Sequence, residues 1–243
     1  MKAFLLAAGL GTRLQPITNT LPKCLVPVAG KPMLFYWFNL FRKYGITDVL
    51  INLNHFPELV KDYVQNNIFD INVTLINEES LLGSFGTLLR NQKFVEKEEN
   101  FFIFYADTLT NVNLIDMMDM HVKSFKLFTI GLFRTKNPTS CGIVTLDDSG
   151  SVVDFEEKPI TPKSDLANAG IYIMNTKLFD KIQDDYKQTL DIGFDLLPKL
   201  INQMQGFEIK DFVIDMGTPI NLILASEFVS KNPTLFYPIK NVR

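Results

Sequence analysis

The chain reads as an α/β protein: a three-layer α/β/α arrangement built on a mostly parallel sheet. Three observations predict this. Short apolar runs alternate with helix-period stretches through roughly the first 110 residues. The first of those runs stops at Gly9 and opens into a loop with a second glycine, a hydroxyl and an arginine (Gly11, Thr12, Arg13). From about Leu127 the helix-period stretches give way to short strand-like runs separated by turn residues.

Each element follows from its residues. Ala3–Ala7, Val49–Leu53, Val73–Ile76 and Phe101–Tyr105 are too short for helices and mostly apolar, as strands covered on both faces should be. Met33–Tyr44, Pro57–Asn66 and Gly86–Asn91 carry helical patterns between them, and Met117, Met118 and Met120 mark the core face of an amphipathic helix. Leu127–Phe133, Gly142–Leu146, Val152–Phe155 and Gly170–Met174 read as strands, with Asp147-Asp148-Ser149-Gly150 as a turn. They predict a small antiparallel lobe. A helix is expected from about Phe194 to Gln203, and a closing helix over about Ile220–Val229, with Thr218 as its N-cap and Pro219 at its first position. No internal repeat and no Gly/Ser/Pro-rich linker divides the chain. It is read as one unit, 1–243, with halves of about 1–110 and 111–243.

Composition narrows the functions open to it. Of 243 residues, 47% are hydrophobic and 21% charged, enough for a sizeable core. A net charge of −3 with no Lys/Arg stripe argues against nucleic acid. Cys24 and Cys141 are too few and too scattered for a disulfide framework, which predicts a reducing, cytoplasmic setting. No histidine accompanies Cys24 to make it a nucleophile, and His55 and His121 lack a second ligand at zinc spacing. The apolar start runs straight into the glycine loop without a cleavage site, and no stretch approaches 18 apolar residues, so neither a signal peptide nor a membrane span is expected.

The loop after the first strand is where chemistry is expected. Glycine lets backbone N–H groups approach a polyphosphate without a Cβ in the way, and Arg13 and Lys23 add two cations. It is not a P-loop, because G-x-x-x-x-G-K-[ST] is absent, and Leu14 stands where a dinucleotide fingerprint needs its third glycine. In open parallel sheets ligands bind at the carboxyl ends of strands, and both Gly9–Arg13 and Asp107 fall there.

Leu6-Ala7-Ala8-Gly9-x-Gly11-Thr12-Arg13-x-x-Pro16-x-Thr18, followed by Pro22-Lys23, resembles the signature of the sugar-1-phosphate nucleotidyltransferases. That family implies a Rossmann-like core with a sugar-binding lobe. Leu6, Ala8, Gly9, Gly11, Thr12 and Arg13 would then contact the nucleotide, with Arg13 and Lys23 catalytic. Asp107 closes a buried strand, as the family's Mg²⁺ aspartate does, although Ala106 stands in place of the usual glycine. Asp215, in Asp215-Met216-Gly217-Thr218-Pro219, resembles the second metal ligand. Glu79-Ser80-Leu81-Leu82-Gly83-Ser84-Phe85-Gly86 resembles the segment beneath the nucleobase, with Glu79, Gly83 and Gly86 as candidates and Phe85 replacing a small residue. Glu157-Lys158-Pro159 and Asn168-Ala169-Gly170-Ile171-Tyr172 resemble the sugar-phosphate half-site. There Glu157 would accept sugar hydroxyls, Lys158 would meet the phosphate, Asn168 and Gly170 would shape the pocket, and Gly142 would cap it.

The implied reaction joins an NTP and a sugar 1-phosphate into an NDP-sugar with release of pyrophosphate, with Mg²⁺ as cofactor and a homodimer as a possible assembly. The pattern is most similar to short mannose-1-phosphate guanylyltransferases, which favours GTP and mannose 1-phosphate. Heptose- or glucose-1-phosphate enzymes using another NTP, a non-catalytic regulatory homologue and a dinucleotide-dependent oxidoreductase are the alternatives.

Overall fold

The computed structural model describes residues 1–67, 69–182 and 189–237. Its first half runs β1 (Lys2–Leu6), β2 (Pro27–Val28), β3 (Lys31–Pro32), α1 (Met33–Lys43), β4 (Asp48–Leu53), α2 (Pro57–Gln65), β5 (Asn72–Asn77), α3 (Ser84–Arg90) and β6 (Asn100–Tyr105). β1 lies between β4 and β6, parallel to both, and β5 continues the parallel set beyond β4. β1, β4 and β6 are largely apolar because both sheet faces are covered there, whereas β5, at the sheet edge, has no buried residue. On one face α1 presents Leu34, Trp37, Phe38 and Phe41; on the other, Phe85, Leu88 and Leu89 of α3 pack with Phe4 and Phe101. Each fully buried phenylalanine contributes roughly 1.5–3 kcal/mol relative to exposure.

The second half holds β7 (Thr108–Thr110), α4 (Leu114–Ser124), β8 (Phe128–Arg134), β9 (Gly142–Leu146), β10 (Val152–Glu157), β11 (Leu166–Asn175), α5 (Leu178–Lys181), β12 (Met204–Glu208), β13 (Val213–Asp215), α6 (Pro219–Lys231) and α7 (Pro233–Phe236). The antiparallel strands extend the main sheet: β11 pairs with β6, β8 and β9, β9 pairs with β10, and β12 runs parallel to β8. Among the described residues the sheet has nine strands, ordered β10-β9-β11-β6-β1-β4-β5, with β8 branching from β11 and β12 pairing with β8.

β11 makes this branching possible by bending. Its pairing with β8 shifts between Asn168 and Tyr172, and Gly170 sits in the left-handed region at φ 68°. A Cβ there would stand 2.8 Å from the Tyr105 ring, so only glycine lets the bend close over β6. Asn168 fixes the bend, its Oδ1 accepting from the Gly170 N–H and its Nδ2 donating to the Tyr172 hydroxyl.

One expectation changes. No continuous α-helix forms over Phe194–Gln203: a single π turn (Ile192–Leu196) passes into a short 3₁₀ turn (Leu197–Leu200), and β12 starts at Met204. Pro198 has no N–H to extend an α-helix, and the apolar residues are consumed by packing. The pair β7–β13 carries too few residues to register as a pattern in the sequence. The closing helix does form, over Pro219–Lys231, and Thr218 caps it by accepting from the Asn221 N–H at 3.2 Å.

Candidate active site

Two cavities open at the carboxyl ends of the parallel strands and share Tyr105, Asp107 and Asp191. The first reaches from Lys23 and Asp107 at one end to Asn52, Glu78 and Leu81 at the other, across Leu6–Gly9. The second is walled by Gly142, Glu157, Lys158, Asn168 and Gly170 and is reached by Arg13 and Asp215. Two segments widely separated in sequence thus meet in one continuous cleft.

The loop after β1 is pinned from within. Gly11 is left-handed at φ 66°, its carbonyl accepts from the Thr18 hydroxyl at 2.8 Å, and the buried Thr18 methyl lies where a Cβ at Gly11 would go. The start of the loop is tied down by Asn52, whose Oδ1 accepts from the Ala7 N–H at 2.8 Å. Asn52 in turn donates to Glu78 and Thr87, and Glu78 also accepts from Thr87 and from the Leu82 N–H. Glu78 is only 5% exposed yet lines the first cavity.

Four charges gather where the cavities join. Lys23 donates to Asp107 Oδ2, and its Nζ stands 3.8 Å from Asp215 Oδ1; Arg13 reaches Asp215 Oδ2 at 3.7 Å. The two aspartates converge because β7 and β13 pair, setting Asp215 opposite Thr108, and the Met216 N–H donates to the Asp107 carbonyl. Ala106 is locked beneath them, its carbonyl accepting from the buried Trp37 indole. A Cβ at Gly217 would lie 2.7 Å from the Arg13 guanidinium, so a side chain there would displace Arg13 from its place beside Asp215. Although its side chain is half exposed, crowding by protein atoms and the neighbouring Asp107 charge raise the Asp215 carboxyl above its ordinary pKa, against the pull of Lys23 and Arg13.

Different devices shape the second cavity. Glu157 ends β10 between two glycines: a Cβ on Gly142 or Gly193 would stand 2.5 or 2.9 Å from its Oε2. Among the described residues its carboxylate accepts no hydrogen bond, and burial raises its pKa, helped by Asp191 and opposed by Lys158. Lys158 adopts a left-handed backbone at φ 51°, unusual for lysine, with its ammonium 5.9 Å from the Phe194 ring centre.

The sequence-predicted residues therefore divide. Leu6, Ala8, Gly9, Gly83, Lys23 and Asp107 line the first cavity; Arg13, Asp107, Gly142, Glu157, Lys158, Asn168, Gly170 and Asp215 line the second. Gly11 and Thr12 line neither. Gly86 sits inside α3, and Glu79 is exposed outside both cavities. Of the two neighbouring glutamates it is Glu78, not Glu79, that faces the first cavity, because the network with Asn52 and Thr87 draws that side chain inward. Asp191 and Asn52 carried no motif, and only a fold could find them. Cys24 borders the first cavity, but burial pushes its thiol up to about 12, so it is no thiolate at neutral pH.

The nucleotidyl transferase family model matches residues 2–232, and the chain belongs to that family. It is 30% identical over 226 residues to the mannose-1-phosphate guanyltransferase of Schizosaccharomyces pombe, an alignment covering 90% of this chain and 61% of that protein. It is 32% identical over 218 residues to the UTP–glucose-1-phosphate uridylyltransferase of a Synechocystis species, covering 83% of this chain and 55% of that one. The chain thus spans little more than half the length of these relatives. Among solved structures, HddC of Yersinia pseudotuberculosis complexed with GMP-PN superposes with a TM-score of 0.80 at 24% identity, covering 93% of this chain and 98% of that one. A Bacillus anthracis protein described as a glucose-1-phosphate thymidylyltransferase gives 0.83 at 23%, covering 94% of both. At such identities these two structures speak for the fold alone.

Proposed function

We propose that this chain transfers a nucleotidyl group from an NTP to a sugar 1-phosphate, releasing pyrophosphate and forming an NDP-sugar. The observation that carries the reading is the junction itself. Two cavities meet at a point where Lys23, Arg13, Asp107 and Asp215 converge, as a reaction between two polyanions requires. The nucleotide would lie in the first cavity with its phosphates over Gly9–Arg13 and its base toward Asn52, Glu78 and Gly83. The sugar 1-phosphate would lie in the second, its phosphate on Lys158 and its hydroxyls donating to Glu157, whose carboxylate accepts no hydrogen bond among the described residues.

Chemically this needs positioning and charge compensation more than proton transfer. A phosphate dianion is already a nucleophile, and in-line attack on the α-phosphorus expels pyrophosphate without a general base. Arg13 and Lys23 would stabilise the charge that develops there. Asp107 and Asp215 suit a hard divalent cation, since both are carboxylates and both already face one cation, the Lys23 ammonium. They would hold Mg²⁺, which when bound neutralises triphosphate charge.

GTP and mannose 1-phosphate are the favoured pair, supported by the relatives that bear the mannose-1-phosphate guanyltransferase name. The Synechocystis relative keeps UTP and glucose 1-phosphate as the second pair. Pyrophosphate release, measured for four NTPs against mannose, glucose and heptose 1-phosphates with Mg²⁺, tests both levels. Release with one pair is expected. Binding of nucleotide and sugar phosphate without release under any pairing would favour a non-catalytic homologue.

A further inference from the structure

Asp191 lies in neither of the groups legible in the sequence, yet it borders both cavities. The stretch that carries it is laid along residues 81–86, the turn into α3 and its first residues, of which Leu81, Gly83 and Ser84 wall the first cavity. The Leu190 N–H donates to the Leu82 carbonyl at 2.9 Å, and the Leu190 carbonyl accepts from the Phe85 and Gly86 N–H groups at 2.9 and 3.1 Å. Gly83, left-handed at φ 79°, is held to glycine by this contact, since a Cβ would collide with the Leu190 backbone. Ser84 makes the side-chain link. Its hydroxyl donates to Asp191 Oδ2 at 2.7 Å and accepts from the Ile192 N–H at 2.7 Å and the Tyr105 hydroxyl at 3.1 Å.

On its other side Asp191 builds the turn that bounds the sugar-side cavity. Oδ1 accepts from the Gly193 and Phe194 N–H groups at 2.7 and 3.2 Å, while Asp195 accepts from the Asp191 N–H at 2.6 Å. Gly193 abuts the Glu157 carboxylate, and the Phe194 ring faces the Lys158 ammonium. One carboxylate thus holds the nucleotide-side loop with one oxygen and the wall of the Glu157–Lys158 slot with the other.

We infer that Asp191 is a positioning residue for the sugar phosphate, and that the Ser84–Asp191 hydrogen bond is the strut through which the nucleotide-side loop sets the geometry around Glu157 and Lys158. This rests on the two-substrate reading proposed above. The residue type fits the task. A serine or asparagine could cap the turn, but only a carboxylate accepts on both oxygens at once. An asparagine would turn an NH₂ group toward Ser84, which would be left without an acceptor.

Separating this role from simple loss of fold takes four proteins: the full chain, Ser84→Ala, Ser84→Thr and Asp191→Asn. Each is assayed with GTP and mannose 1-phosphate, or whichever pair releases pyrophosphate in the screen above. Ser84→Ala and Asp191→Asn should raise the KM for the sugar phosphate about tenfold. The KM for the nucleotide should stay within about threefold, and the melting temperature should change little. Ser84→Thr, which keeps the hydroxyl, should restore the sugar-phosphate KM. Equal rises in both KM values, an unchanged sugar-phosphate KM in Ser84→Ala, or no rescue by threonine would overturn the strut. A full chain that turns over no pair at all would instead overturn the transferase reading, and titration of mannose 1-phosphate into the four proteins would then decide the strut on binding alone.

Discussion

The nucleotide-side and sugar-side cavities are built by opposite means. The first is a consequence of parallel strands: β1, β4, β5 and β6 end together, and the loops leaving them form its walls, with Asn52 reaching back to hold the Ala7 N–H. The second depends on a bent strand and on three glycines (Gly142, Gly170 and Gly193) whose missing side chains make room for Glu157 and Tyr105. The first places few ionisable groups away from the junction, with Glu78 fully engaged by neutral donors. The second leaves Glu157 unpartnered among the described residues and Lys158 in a strained backbone. The difference teaches that one cavity is framed by the sheet itself, while the other is poised for polar ligands by local exceptions to ordinary backbone and packing rules.

If the junction serves both cavities, damage there should exceed damage in either. Asp107→Asn and Asp215→Asn should abolish turnover with little change in melting temperature, because each removes a charge at nearly constant volume. Lys23→Ala and Arg13→Ala should lower kcat/KM by roughly 10²-fold or more, as each deletes a cation at the developing charge. Steady-state kinetics on the four variants, with thermal melts, would check this. Near-normal turnover in any of them would move the chemistry elsewhere.

The sugar-side reading sharpens with Lys158→Ala. It should weaken sugar 1-phosphate binding about tenfold or more while NTP affinity stays within a few-fold, as titration calorimetry would show. The reverse pattern would exchange the two cavities.

A smaller effect concerns metal alone. Lys23 already faces both aspartates, so a divalent ion must displace an ammonium unless phosphates draw that ammonium away. Mn²⁺, followed by its electron paramagnetic resonance, should bind weakly without nucleotide and about tenfold or more tighter to Lys23→Met, which removes the competing charge. Tight binding to the unaltered chain without nucleotide would count against Lys23 as the competitor.

The mildest expectations are in pH. Glu157 has a raised pKa, so its acceptor form is lost as pH falls through a range above the ordinary glutamate value. The KM for sugar phosphate should therefore rise on the acid side before that for NTP does. Away from both cavities, His121 is buried between Thr129 and Asn100 and its pKa is lowered to about 4. The unfolded chain takes up that proton first, so stability should fall between about pH 6.5 and 4, by at most roughly 3–4 kcal/mol. Denaturant titrations of His121→Asn should lack that component.

The amino-acid sequence by itself determined the strands of the parallel half, the glycine loop, the cap and first proline of the closing helix, and the presence of Asp107, Glu157 and Lys158 at strand ends. These are local: a run of apolar residues, a glycine or an N-cap acts within a few positions, and its pattern can be read where it stands. Tertiary structure alone decided that Asp107 and Asp215 share one ammonium, through a strand pair of three residues each. It also decided that Glu78 faces the cavity where Glu79 does not, because Asn52 and Thr87 arrive from other elements to satisfy a buried carboxylate. Asp191 is the extreme case: its cap on the Gly193–Phe194 turn is local, but its link to Ser84 exists only once residues 81–86 and 189–196 lie side by side. Hydrogen bonds between distant segments leave no periodicity in the chain, and the free energy that selects them appears only when the sheet brings both partners out of water together.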